Sequence, residues 1–362
     1  MFLPEDPLVS ARRDTVIIKK ETDILFVTSC QACCLGGPGD ARDVCYKCYR
    51  NHQGALAVTS TGTTTSILTF DVGGSHVSAG RCRLSDLKVI QVASAPLGEV
   101  SSFEQFVDLL YRLGTEAAGA DNQLAGASLA VPGPFDCEAG VSLMQHKLQP
   151  LYGKSLRRAL AARFGWAPEQ LRFLNDACAY LLGEVGAGSV RGAKRAAGLT
   201  LGTGVGSAFA VDGRAVTEGV GVPTGGEIWN LSYGDGTVED LISTRKLKAD
   251  YLSVTGKNIE VIEIAAAAAT EPAARQVFET FGLHLGEVLR DVVAPFRPDM
   301  VVIGGGISRS APLFLPVAER QIAGLGFSVV TSTLLDQAPL VGAAQFWREE
   351  FAQPDKRALA AR

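Results

Sequence analysis

No apolar run in the 362 residues approaches the ~18 that a membrane-crossing helix needs. The opening Met-Phe-Leu-Pro-Glu-Asp lacks the basic-then-apolar order of a secretory signal. Together these absences point to a cytoplasmic protein with no membrane partner. Lys and Arg are scattered along a chain of formal net charge −4, so there is no basic stripe to meet a phosphate backbone, and nucleic acid is not expected as a partner. Eight cysteines are too few for a disulfide scaffold in a chain of this length, although five of them crowd between Cys30 and Cys48. What the sequence does hold is apolar material: 47% of residues are hydrophobic and 20% charged, enough for a large core, which at this length is expected to divide into two lobes.

Residues 1–60 differ in texture from the rest. They combine a short apolar stretch, Ile24 to Val27, with cysteines, glycines and a polar tract ending in Thr61-Gly62-Thr63-Thr64-Thr65, and read as an extension followed by a linker. From Ile67 onward short apolar strands alternate with helices of 3.6-residue periodicity, the α/β signature. Ile67 to Val72 and Val77 to Leu84 form a hairpin, and Phe103, Phe106, Val107, Leu110 and Leu113 mark one face of a helix. The strand Ala127 to Val131 stops at Pro132-Gly133-Pro134. The same grammar returns after Asp176: strand Ala197 to Leu201, glycine turn, strand Ser207 to Val211, then an Asp212-Gly213 hairpin turn. Repeated grammar implies duplication. The expected division is a small lobe of residues 61–175 completed by a last helix at about 337–352, and a large lobe of residues 176–336.

Several short segments carry chemistry. Asp71-Val72-Gly73-Gly74-Ser75 follows a buried strand. Its glycines let backbone N–H groups approach a phosphate, and Asp71 would hold hydrated Mg²⁺; the same residues also suit a plain hairpin turn. Leu201-Gly202-Thr203-Gly204-Val205-Gly206 is a second strand, turn and strand unit, with the Thr203 hydroxyl and Gly204 placed for a γ-phosphate. Because it opens a strand rather than a helix, a dinucleotide site is disfavoured. Gly304-Gly305-Gly306 closes a strand before a helix, where adenine and ribose could lie on bare backbone. Asn175 and Asp176 end a strand at the expected lobe boundary. They can cap the helix Ala177 to Glu184, and a carboxylate at that point could also accept a proton from an attacking hydroxyl. Glu227, after Gly225-Gly226, adds a carboxylate able to accept bonds from two adjacent sugar hydroxyls, or marks a surface turn.

Taken in order, these segments, with Val131-Pro132-Gly133-Pro134 and Arg297-Pro298-Asp299, resemble the ROK family of bacterial repressors and sugar kinases within the hexokinase and actin superfold. The resemblance covers roughly Ile67 to Phe351. It implies a two-lobed actin-like ATPase (ribonuclease H-like) α/β fold with a cleft between the lobes. It also implies a kinase that moves a phosphoryl group to a hexose hydroxyl, glucose O6 in the first instance. Asp71, Gly73, Gly74 and Ser75 would lie at phosphate and Mg²⁺, Thr203 and Gly204 at the second phosphate turn, and Gly304 and Gly305 near adenosine. Gly133, Asn175, Asp176, Glu227 and Asn230 would line the sugar site, with Asp176 as general base. Homodimers are common in the family, but this sequence carries no visible signature of one.

The chain departs from the family pattern at informative places. Asn230 stands where a histidine usually follows the sugar-binding glutamate, Cys178 where an asparagine is common, and Lys147 in place of another asparagine. The family's zinc loop gives way to residues 231–240. Its absence and the sequence Gly202-Thr203-Gly204-Val205-Gly206-Ser207-Ala208 resemble polyphosphate-dependent glucokinases, so ATP and polyphosphate both stand as donors. Cys30-x-x-Cys33 and Cys45-x-x-Cys48 have the spacing of a zinc knuckle, in a segment that is otherwise read as disordered or as lying upstream of a start near Thr61. Residues 1–60 show no helix pair with a basic face, so a DNA-binding regulator is not expected. A non-catalytic sugar sensor and an N-acylhexosamine kinase remain as alternatives.

Overall fold

The computed structural model describes residues 65–120, 123–145 and 148–350 in full, and only the backbone of residues 8–12, 15–20, 23–28 and 351. Cys30, Cys33, Cys45, Cys48 and Lys147 lie outside the described residues. The N-terminal unit contains a three-stranded antiparallel sheet of β1 (Leu8–Arg12), β2 (Thr15–Lys20) and β3 (Asp23–Thr28), and the apolar stretch Ile24 to Val27 falls within β3. From Thr64 the chain forms a second compact unit.

In that unit β4 (Ser66–Val72), β5 (His76–Arg83) and β6 (Lys88–Pro96) make an antiparallel meander. After helix α1 (Phe103–Ala118), β7 (Leu124–Val131) pairs parallel to β4. A short hairpin, β8 (Phe135–Asp136) and β9 (Val141–Ser142), and helix α2 (Leu156–Phe164) lead to β10 (Leu171–Asn175), parallel to β7. Helix α3 (Asp176–Ala187) then crosses to a second sheet. There β11 (Arg195–Leu201), β12 (Val205–Val211) and β13 (Arg214–Val216) form another meander. The β12–β13 turn puts both Asp212 and Gly213 at positive φ, as a two-residue hairpin loop with matching twist demands.

The two-stranded β14 (Ser232–Tyr233) and β15 (Gly236–Thr237) precede the helices α4 (Val238–Leu241), α5 (Thr244–Thr255), α6 (Val261–Ala267) and α7 (Pro272–Val288). Strand β16 (Met300–Gly304) pairs parallel to β11, and after α8 (Ala311–Gln321), β17 (Ser328–Thr331) pairs parallel to β16; α9 (Ala338–Phe351) ends the described chain. The strand orders are β10-β7-β4-β5-β6 and β13-β12-β11-β16-β17. Numbering strands by their order within each half, both sheets run 5-4-1-2-3, so the repeated grammar of the sequence is a repeated topology.

Strand alternation explains what faces where. In β4, Leu68, Phe70 and Val72 pack with Phe106, Leu110 and Leu113 of α1, whereas Ile67 packs with Val341, Ala344 and Trp347 of α9. Asp71 therefore shares the α9 side with Ile67 and Thr69. In β11, Ala197, Leu199 and Leu201 join the core under α7, and Ala196 meets Leu181 and Val185 of α3. Thr200 is thus on the α3 side and occupies, in the second repeat, the position of Asp71 in the first.

Helices α3 and α9 lie between the sheets and pack on each other without intervening side chains. A Cβ on Gly183 would collide with the Ala338 carbonyl oxygen, and one on Gly342 with that of Ala179. Backbone meets backbone here, so there is no flexible side chain to give way. Gly342→Ala is expected to destabilise the protein by at least about 2 kcal/mol through overpacking, measured as a lower midpoint in urea.

Candidate functional site

The beginnings of α3 and α9 open onto a cavity of about 590 Å³. Its walls combine Asp71 with the β4–β5 turn residues Gly73, Ser75 and His76, the α3 residues Asp176, Ala177 and Tyr180, and Thr200 of β11. The turn after β16 adds Gly305, Gly306, Ser308 and Arg309, and Asp336 lies just before α9. Asp71, Gly73, Ser75, Asp176 and Gly305, which are far apart in sequence, are therefore brought together. Asn175 caps α3: its Oδ1 accepts the N–H groups of Ala177 (2.9 Å) and Cys178 (3.2 Å). Asp176 is the first helical residue and its Oδ1 accepts the Ala177 N–H at 2.8 Å. The capping role read from sequence and the placement of the carboxylate on the cavity wall thus coexist.

Other expected contacts are arranged differently. The Gly73 N–H, expected to point at phosphate, donates within its own turn to the His76 carbonyl at 2.9 Å, and Gly74 is exposed outside the cavity lining. Thr203 and Gly204 also lie outside the lining, and the neighbouring Val205 N–H donates to Glu239 Oε2 at 3.1 Å. A carboxylate from the start of α4 thus meets the turn expected to meet a phosphate. Gly304 is buried under Tyr180, whose phenol oxygen occupies the space a Cβ would need; only Gly305 of that pair faces the cavity. The glycine run leads into a 3₁₀ turn, Gly306–Ser310, before α8, rather than into an α-helix directly.

Gly133, Glu227 and Asn230, assigned to sugar, are exposed and outside the lining. Glu227 accepts the Trp229 indole N–H at 3.0 Å. The segment is pinned from beneath by Ser207, whose hydroxyl donates to the Gly226 carbonyl (2.7 Å) and accepts the Ile228 N–H (3.1 Å). Burial first, then the charges of Asp176, Cys137 and Glu227, push the Cys178 thiol up to about 12. Behind Gly133, Arg157 ties the hairpin to β10 by donating to the carbonyls of Cys137 (3.1 Å), Glu138 (3.0 Å), Pro168 (3.1 Å) and Leu171.

The lining also holds Thr200, Tyr180, Arg309 and Asp336, which carried no assigned role, and Ser308, at the end of the segment with the glycine run. Thr200 left a trace, a hydroxyl between Leu199 and Leu201 directly before the glycine turn. Tyr180 left another, one helical turn beyond Asp176. Arg309 and Asp336, paired at 2.9 Å, left none. The loop carrying Asp336 is held by the fully buried Glu184, which accepts from Ser189 N–H and Oγ (2.7 Å each), Ser332 Oγ (2.5 Å) and Leu334 N–H (3.0 Å). Burial opposes its charge, but these donors hold the carboxyl below its usual range.

Asp71 is pushed the other way, to about 7, by burial first and then by the negative charges of Asp176 and Asp336. Among the described residues no group of three or more His, Cys, Asp or Glu could cage a metal ion. Mg²⁺, however, keeps most of its waters and needs only one or two carboxylates beside substrate phosphates. A desolvated carboxylate facing two others is a fitting partner for such a hydrated cation. Because the folded value of Asp71 lies above its ordinary 3.8, its contribution to stability is fully present below pH 3.8 and is lost as the pH rises through about 7. The ligand-free protein should lose up to about 4 kcal/mol across that window, and Asp71→Asn should remove this part of the slope, as read by thermal melts from pH 4 to 8.

A profile of the ROK family matches residues 68–350. The chain is 30% identical over 250 residues to a glucokinase of Thermotoga maritima, covering 60% of this chain and 77% of that protein. It is 26% identical over 272 residues to an N-acetyl-D-glucosamine kinase of Salmonella paratyphi B, covering 69% and 87%. The crystal structure of a ROK hexokinase from Thermus thermophilus superposes with a TM-score of 0.67 at 23% identity, over 80% of this chain and all of that one. The duplicated α/β architecture is that of the actin-like ATPase fold, and the chain belongs to the ROK family, in its sugar phosphotransferase branch.

Proposed function

We propose that the chain transfers a phosphoryl group from ATP or polyphosphate to a hexose hydroxyl, glucose O6 in the first instance. The observation that carries this reading is the placement of Asp176 at the first turn of α3, on the wall of the cavity that also holds Asp71 and the Gly305 turn. Asp176 would remove the proton of the attacking hydroxyl. That oxygen would bond to the terminal phosphorus as the bond to the next phosphate oxygen breaks, releasing ADP or a polyphosphate shortened by one unit. Asp71 would hold the hydration shell of Mg²⁺, which when bound neutralises phosphate charge. Glu227, Asn230, Asn175 and Gly133 would supply the sugar side.

A purely sensing protein needs neither a base nor a metal carboxylate, so the pairing of Asp71 with Asp176 favours an enzyme. An N-acylated hexosamine is the second acceptor. It is supported by the likeness to an N-acetyl-D-glucosamine kinase and by Asn230, an amide able to bond a sugar substituent without titrating.

In a coupled assay over a hexose panel with ATP or polyphosphate, Asp176→Asn is expected to lower kcat by at least about 10²-fold and to leave sugar affinity by calorimetry nearly unchanged; retained turnover would remove Asp176 from the base role. Asn230→His should shift the ratio of kcat/KM between glucose and N-acetylglucosamine. An unchanged ratio would show position 230 to be a bystander.

A further inference from the structure

One polar group in the cavity is used by neither the fold nor the proposed transfer. Tyr180 belongs to the cavity wall but is only 7% exposed, and its hydroxyl oxygen, buried against Gly304, has no hydrogen-bond partner. The neighbouring Ser332 hydroxyl is committed to Glu184 and to the Leu335 N–H and lies outside bonding geometry to the phenol. A buried hydroxyl left unpaired is a cost that phenylalanine at the same place would not incur. The backbone has nonetheless been cleared for it, because Gly304 has no room for a Cβ beneath the phenol oxygen. Burial pushes this phenol up to about 12, so at neutral pH it is a donor seeking an acceptor.

The surroundings identify that acceptor. Tyr180 stands one helical turn after Asp176 on the same face of α3, and its phenol oxygen lies against Gly304. The wall offers groups that suit an anion: the glycine turn 305–306, the Thr200 hydroxyl, and Arg309, which also pairs with Asp336. The N-termini of two helices, each longer than ten residues, also open here. We propose that the Tyr180 hydroxyl donates a hydrogen bond to a phosphate oxygen of the phosphoryl donor, a contact that ATP and inorganic polyphosphate share. The proposal rests on the kinase reading of the site and names the chain's own residue for donor recognition, one turn from the base.

The test compares the full chain with Tyr180→Phe. Affinities for Mg·ATP and for Mg·tripolyphosphate are measured by calorimetry without sugar, alongside melting of the ligand-free proteins and steady-state kinetics. The expected result is a Kd raised about tenfold or more for both phosphates, a sugar KM within about twofold, and a ligand-free melting temperature equal to or above that of the parent. An unchanged Kd with a lowered melting temperature would overturn the proposal and make the phenol structural. Weakening for ATP alone would also overturn it, by moving the contact to the nucleoside, as would a parent chain that binds neither probe. Should the parent bind both probes yet phosphorylate no hexose, the loss of affinity in Tyr180→Phe would still sustain the phosphate contact while the acceptor reading fell.

Discussion

The contact between α3 and α9 is the constraint on which the rest of the unit depends. Two glycines, Gly183 and Gly342, let carbonyl oxygens of one helix sit where the other would carry a Cβ, so the separation and register of the pair are set by backbone atoms. Both helices begin at the cavity, with Asp176 on one and Asp336 immediately before the other. The partial positive charge at each N-terminus therefore points into the same space and is met there by a carboxylate. Moving either helix by a side chain's width would displace one carboxylate from the other. This close packing thus governs the spacing of carboxylates that line one cavity.

The duplication then divides labour between equivalent positions. Asp71 and Thr200 occupy the same place in their sheets, one strand residue before the glycine turn region and on the helix-facing side. One repeat supplies a carboxylate whose charge is expensive in its buried setting; the other supplies a hydroxyl. Divergence of the pair makes a mixed site from a symmetric scaffold.

The sequence made the architecture legible because strands and helices are local patterns: the β4–β5 hairpin, the turn at Asp212-Gly213 and the cap at Asn175 all depend on residues within a few positions of one another. Asp71, Asp176 and Gly305, which belong to such patterns, line one cavity in the structure. Thr203 and Gly204 lie outside that lining, and the Val205 N–H beside them meets Glu239, 34 residues further on; no local pattern announces a carboxylate arriving from another element. Gly304 was legible as a glycine but not for its reason, which is the phenol of a residue in a different helix. The Arg309–Asp336 pair closes over 27 residues and needed the fold to become visible.

The exchange of helices between the halves also shapes how the unit folds. Helix α3 follows the last strand of the first sheet yet lies on the second, against Ala196, Ala208 and Ala210, while α9 follows the second sheet and covers Ile67 and Cys82 of the first. Each half on its own would leave one face of its sheet without a cover and one apolar helix without a floor. Neither half is then an autonomous folding module. The two sheets are therefore expected to melt together, and fragments cut between the repeats to need each other to regain structure.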